Sequence, residues 1–71
     1  MNSNKLKAVL KENGDRQADL AAYLHMELST LNQKINGNGT DFRQTEMLAI
    51  KRKYNLSADD MDAIFFDVVG S

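Results

Sequence analysis

Cysteine, proline and tryptophan are all absent from this chain of 71 residues, and histidine occurs once, as His25. Without cysteine there is no disulfide framework and no thiolate metal site. A four-ligand zinc site draws on several Cys or His, and the chain has no such set, so no metal or cofactor is expected. The chain is close to the lower size limit at which a hydrophobic core holds a fold without staples. Its stability has to come from packing, helix caps and an oligomer interface. The lack of proline suits helices joined by short turns better than a sheet of many hairpins. No stretch approaches the roughly 20 apolar residues that span a bilayer. The start, Met1-Asn2-Ser3-Asn4-Lys5, lacks the apolar core of an export signal. A soluble, cytoplasmic protein with no membrane partner is expected.

Charge of one sign is also missing, since the formal net charge is −1. A surplus of basic residues usually accompanies nucleic-acid binding, but here the distribution matters more than the total. Residues 1–55 hold all nine Lys and Arg against six acids, a surplus of +3. The other four acids, Asp59, Asp60, Asp62 and Asp67, fall in the last sixteen residues. A mildly basic body with an acidic end can meet an anionic partner by one face.

What is present is helical spacing from end to end, with no sustained alternation of period two. The spacing predicts a first helix over Asn4 to Asn13, capped by Ser3, with Leu6, Val9 and Leu10 inward and Gly14 as the left-handed stop. A second runs from Arg16 to Leu24, capped by Asp15, with Leu20, Ala21 and Leu24 inward. After the turn His25-Met26-Glu27 comes a third, Leu28 to Asn36, with Leu31 and Ile35 inward. Asn36-Gly37-Asn38-Gly39-Thr40 is the clearest loop. The fourth, Arg43 to Tyr54, buries Met47, Ile50 and Tyr54, and its last turn carries Lys51, Arg52 and Lys53 as a solvated end that suits the helix dipole. Ser57-Ala58-Asp59-Asp60 caps a short fifth helix through Met61, Ile64 and Phe65. The whole chain, 1–71, reads as one all-α domain, a compact bundle of about five short helices.

The stretch 17–36 is the informative one. Two helices that meet across a turn of three or four residues need a small residue where their backbones approach, and Ala21 fills that place. Leu20, Leu24, Met26 and Leu31 supply apolar anchors on both sides, giving a helix-turn-helix. The outward side of the third helix offers Ser29, Asn32, Gln33 and Lys34. Amides and hydroxyls on a short helix present the paired donors and acceptors that read base edges in the major groove. An ordinary solvated helix more often shows Glu and Lys there. His25 has neither a nucleophile motif nor a paired carboxylate beside it, so no enzyme is expected.

This segment resembles the phage-type repressors of the Cro and lambda-repressor kind, the XRE-like helix-turn-helix family. The resemblance runs from Gln17-x-x-Leu20-Ala21 through Leu31 to Ile35-Asn36-Gly37. It continues more loosely through Phe42-x-x-x-Glu46-Met47-x-x-Ile50, Tyr54-Asn55-Leu56-Ser57 and Ile64-Phe65-Phe66. It implies a bundle of about five helices whose dimers bind two half-sites one helical turn apart. It further implies that Leu28, Ser29, Asn32 and Gln33 read bases. Arg16, Gln17, Lys34, Asn36, Asn38 and Arg43 would then contact phosphates, fixing register while the base contacts choose sequence.

The departures from the family pattern carry their own expectations. His25 stands where glycine is usual and has to tolerate a left-handed backbone. Arg16 and Arg43 stand where Ser or Thr usually cap, which assigns capping to Asp15 and Asp41 and leaves the arginines for phosphates. The end of the chain, 66–71, is read as an interface or a disordered tail. In it, Phe66, Val68 and Val69 either pack inward or form a dimer contact, because repressors of this type use two-fold symmetry. With no further domain for ligand sensing, the resemblance implies a Cro-like transcriptional repressor binding double-stranded operator DNA as a homodimer. A second reading is a modulator or antirepressor that acts by binding another repressor protein; Glu27, Leu28 and the net acidity favour it.

Overall fold

A computed structural model describes residues 1–37 and 41–66. Five helices follow one another: α1 Ser3–Glu12, α2 Gln17–Tyr23, α3 Leu28–Asn36, α4 Gln44–Tyr54 and α5 Ala58–Phe65. Among the described residues there is no strand, and the protein is an all-α bundle. Nor is any described helix long and apolar enough to cross a membrane.

The helix starts differ from expectation at three caps, each for a chemical reason. Asn2, not Ser3, caps α1, its Oδ1 accepting from the Lys5 N–H at 3.1 Å. Ser3 enters the helix, and its hydroxyl donates instead to the Ile35 carbonyl at 2.6 Å, tying α1 to the last turn of α3. Asp15 does not cap α2, and Asp41 does not cap α4. Arg16 and Arg43 occupy those N-cap positions, and a guanidinium has no acceptor to offer the first turn. The cap is therefore one-sided. Asp19 reaches back to the Arg16 N–H, and Glu46 to the Arg43 N–H, each at 2.8 Å. Only α5 has the reciprocal arrangement, with Ser57 and Asp60 bonding each other's backbone N–H.

Four helices end on a left-handed residue; at α3 it is Gly37 (φ 70), and the other three also share one backbone bond. At α1 the left-handed residue is Gly14 (φ 70), with Asp15 N–H donating to the Leu10 carbonyl. At α2 it is His25 (φ 57), with Met26 N–H donating to Ala21. At α4 it is Asn55 (φ 52), with Leu56 N–H donating to Lys51. Each bond closes carbonyls that the helix end would leave without a partner. In the last two cases the next residue, Met26 or Leu56, folds back onto the core, the apolar contact that accompanies such stops.

Leu6, Leu20, Leu31, Ile35, Ile50 and Ile64 are essentially sealed from solvent and draw on all five helices. Phe42, in the connection before α4, meets Phe65 of α5 edge to face at 5.5 Å. Phe65 thus turns inward as expected, while Phe66 is 57% exposed. Residues 67–71 lie outside the described residues.

Candidate nucleic-acid interface

Helices α2 and α3 pack on each other across the four-residue connection Leu24–Glu27. Leu20 and Ala21 are the buried residues of α2. The left-handed His25 reverses the chain, and its N–H donates to the Ala22 carbonyl. The turn therefore has the backbone that a glycine would give, formed by a residue that tolerates it.

The helix α3 is sharply divided. Leu31, Lys34 and Ile35 are buried, whereas Leu28, Ser29, Gln33 and Asn36 are exposed and Asn32 is half-buried. Ser29, Gln33 and Asn36 follow one another at four- and three-residue steps, so they line one side of the rod, and Leu28 adjoins them at its start. No carboxylate lies within α3. Among the described residues, the side chains of Ser29, Asn32, Gln33 and Asn36 make no hydrogen bond within the protein. Ser29, Gln33 and Asn36 are open to solvent, and Asn32 is partly so. All four residues expected to read bases (Leu28, Ser29, Asn32 and Gln33) therefore share one helix, and Leu28, at 43% exposure, heads it as an apolar residue.

Lys34, expected to reach out to phosphate, is placed otherwise. It is only 8% exposed. Three residues after Leu31, it falls on the inward stripe. Its Nζ donates to the Asp41 carbonyl at 2.9 Å and lies 3.2 Å from the Glu46 carboxylate. The outward side of α3 consequently carries no charge. Asp41, expected as a cap, serves through its backbone oxygen instead.

The other expected phosphate contacts are scattered over helix starts. Arg16 is open to solvent and pairs loosely with Asp19 at 3.6 Å, an exposed pair worth little in stability. Gln17, half-buried, is the first residue of α2, and Arg43 is exposed before α4. Asn36 is exposed at the end of α3, and Asn38 lies outside the described residues, as do Val68 and Val69. One regularity escaped the sequence reading. Arg16-Gln17-x-Asp19 and Arg43-Gln44-x-Glu46 start α2 and α4 with the same pattern, an arginine at the cap and an acid that closes it three residues on. Gln44 therefore stands on α4 where Gln17 stands on α2, and the repeated Arg-Gln-x-acid was the available signal.

A second polar cluster joins the α1–α2 connection to the end of α4. The Tyr54 hydroxyl donates to Asp15 Oδ2 at 2.7 Å, and Lys53 Nζ lies 3.3 Å from the same oxygen. Lys53 also sits over the rings of Tyr23 and Tyr54, 4.8 and 5.3 Å from their centroids. Of the three cations at the end of α4, Lys53 is thus half-buried and tied to Asp15 rather than free in solvent. The hydrogen bond from Tyr54, more than the nearby ammonium, holds the Asp15 carboxyl below its ordinary range. Burial, reinforced by that carboxylate, pushes the Tyr54 phenol well above its own.

Comparison with protein-family models, with curated proteins and with solved structures found no match.

Proposed function

We propose that this protein is a sequence-specific, double-stranded-DNA-binding transcriptional regulator of the Cro-like helix-turn-helix kind, acting as a homodimer on operator DNA in the cytoplasm. One observation carries the reading. The outward side of α3 is a row of hydroxyl and amide groups that make no side-chain hydrogen bond among the described residues, while the opposite side is locked in the core. Such a row matches the donor and acceptor pattern of base edges, and a single helix fits the major groove. Ser29, Asn32 and Gln33 read bases, and Leu28 packs on a thymine methyl group. Arg16, Gln17 and Arg43 hold phosphates and set the register, and Asn36 lies along the backbone. The role is binding rather than catalysis, and it uses no cofactor.

The test is fluorescence anisotropy with duplexes from the protein's own upstream region, repeated across a salt series. Operator binding should weaken steeply as salt rises, through counterion release. Gln33→Ala should cost about 1–3 kcal/mol on the preferred site and relax the base preference at one position. The exposure of Leu28 favours a second reading, a modulator that docks on another repressor. Operator binding unchanged by Gln33→Ala, together with loss of a protein complex in Leu28→Asp, decides for that reading.

A further inference from the structure

Lysine is almost never fully buried unless it is paired, and in this fold the sequestered one lies on α3. Its head group is bonded to two places, the carbonyl of Asp41 in the connection before α4 and the carboxylate of Glu46 on α4. The same Glu46 oxygen accepts from the Arg43 N–H, so one atom joins the cap of α4 to the inner side of α3. Stability is a poor reason for such a lysine, because apolar residues of similar volume in place of a buried ion pair often hold a protein as well or better. Direction is a better one. Leu31 and Ile35 press α3 onto the core, but apolar contact is non-directional and permits a helix to roll. A charge-assisted hydrogen bond has a fixed length and angle.

We infer that Lys34 is a positioning residue for base readout. By anchoring the inner side of α3 to Asp41 and Glu46, it fixes the rotation of the helix so that Ser29 and Gln33 face outward and the half-buried Asn32 stands at the edge of the same side. The inference rests on the DNA-binding reading given above. Lys34 itself touches no nucleic acid.

The experiment uses a 20-bp duplex selected in vitro by the wild-type protein and a scrambled duplex of the same composition, each titrated across a salt series. Lys34→Met, which fills the same space without charge, should lose at least tenfold in discrimination between the two. The slope of log affinity against log salt should stay unchanged. Glu46→Gln keeps an acceptor for the Arg43 N–H but removes the ion pair. It should lose discrimination likewise, and the double variant should lose no more than either single one. Lys34→Arg should recover most of it.

Two outcomes overturn the inference while the DNA reading stands. A salt slope lower by about 1 with discrimination intact would make Lys34 a direct phosphate ligand. A lower melting temperature with both quantities intact would make it a purely structural residue. A wild-type protein that selects no duplex at all overturns the DNA reading itself, and this inference with it.

Discussion

Helices α3 and α4 both seat an apolar side in the core, yet they distribute charge differently. In α4 the apolar residues Ile50 and Tyr54 go in, and Arg52, Gln44 and Thr45 go out. In α3 the only charged side chain is turned inward, and the outward side is left neutral but polar. Arg52 on α4 is placed as solvation alone requires, while Glu46 and Lys53 of the same helix are half-buried and each pairs with an opposite charge. The α3 pattern exceeds that requirement, because water would accept Lys34 on the surface at lower desolvation cost. The difference teaches that outward polarity on α3 is selective in kind: groups that donate and accept in fixed directions are presented, and the long-range charge is withdrawn.

The comparison can be broken first at its base. Leu31→Ala, at a site with no solvent exposure, should destabilise the protein by about 2–5 kcal/mol. In so small a domain that is a large part of the total stability. Urea unfolding followed by circular dichroism measures it; a loss under about 1 kcal/mol would show that α3 is not seated in the core.

A smaller effect sharpens the α4 side. Tyr54→Phe removes the hydroxyl that reaches Asp15 and should lower stability by about 1 kcal/mol at neutral pH, the ordinary net worth of a hydrogen bond. Its pH dependence has two arms. The Asp15 carboxyl titrates lower in the folded state than in the unfolded chain. Its contribution is therefore complete above the ordinary carboxylate range, near pH 4, and is lost as pH falls through the depressed value. Tyr54 titrates higher in the folded state, so its contribution is complete below about pH 10 and is lost as pH rises beyond. The variant should lack the alkaline arm and show a weaker acid arm. Part of the acid arm should survive through Asp60, whose carboxyl the Ser57 backbone N–H and hydroxyl hold low. Urea midpoints across the pH range test both arms.

The smallest effect expected is at Leu48, an exposed apolar residue of α4. Leu48→Gln should change stability by no more than about 0.5 kcal/mol, as surface substitutions do. A larger loss in the same urea assay would mean that α4 has a second buried side.

Much of this architecture was legible in the residues. Five helices follow from period, and the apolar residues Leu6, Leu20, Leu31, Ile35 and Ile50 were expected inside because their spacing leaves little choice. The left-handed turn at His25 was implied by the family resemblance, in which glycine usually holds that place. What escaped was partner choice among polar groups. Asp15 stands directly before α2 and looks like its cap, yet the chain folds so that a tyrosine 39 residues later claims it. Ser3 was read as a cap for the same local reason and serves α3 instead. Lys34 was misplaced because lysine is polar by type, whereas its position three after Leu31 put it inside. Side-chain bonds between distant segments leave no local periodicity, so spacing alone cannot find them. The one-sided caps at Arg16 and Arg43 escaped too, although a local signal for them exists. Their acids lie three residues on, and the repeat was visible.

The division of α3 into a seated side and a free side has an evolutionary consequence. Leu28, Ser29, Gln33 and Asn36 take no part in the core, so their identities can drift without unfolding the molecule. Under the proposed DNA-binding role, a lineage carrying this domain acquires a new recognition vocabulary by single substitutions at four positions while inheriting the scaffold intact.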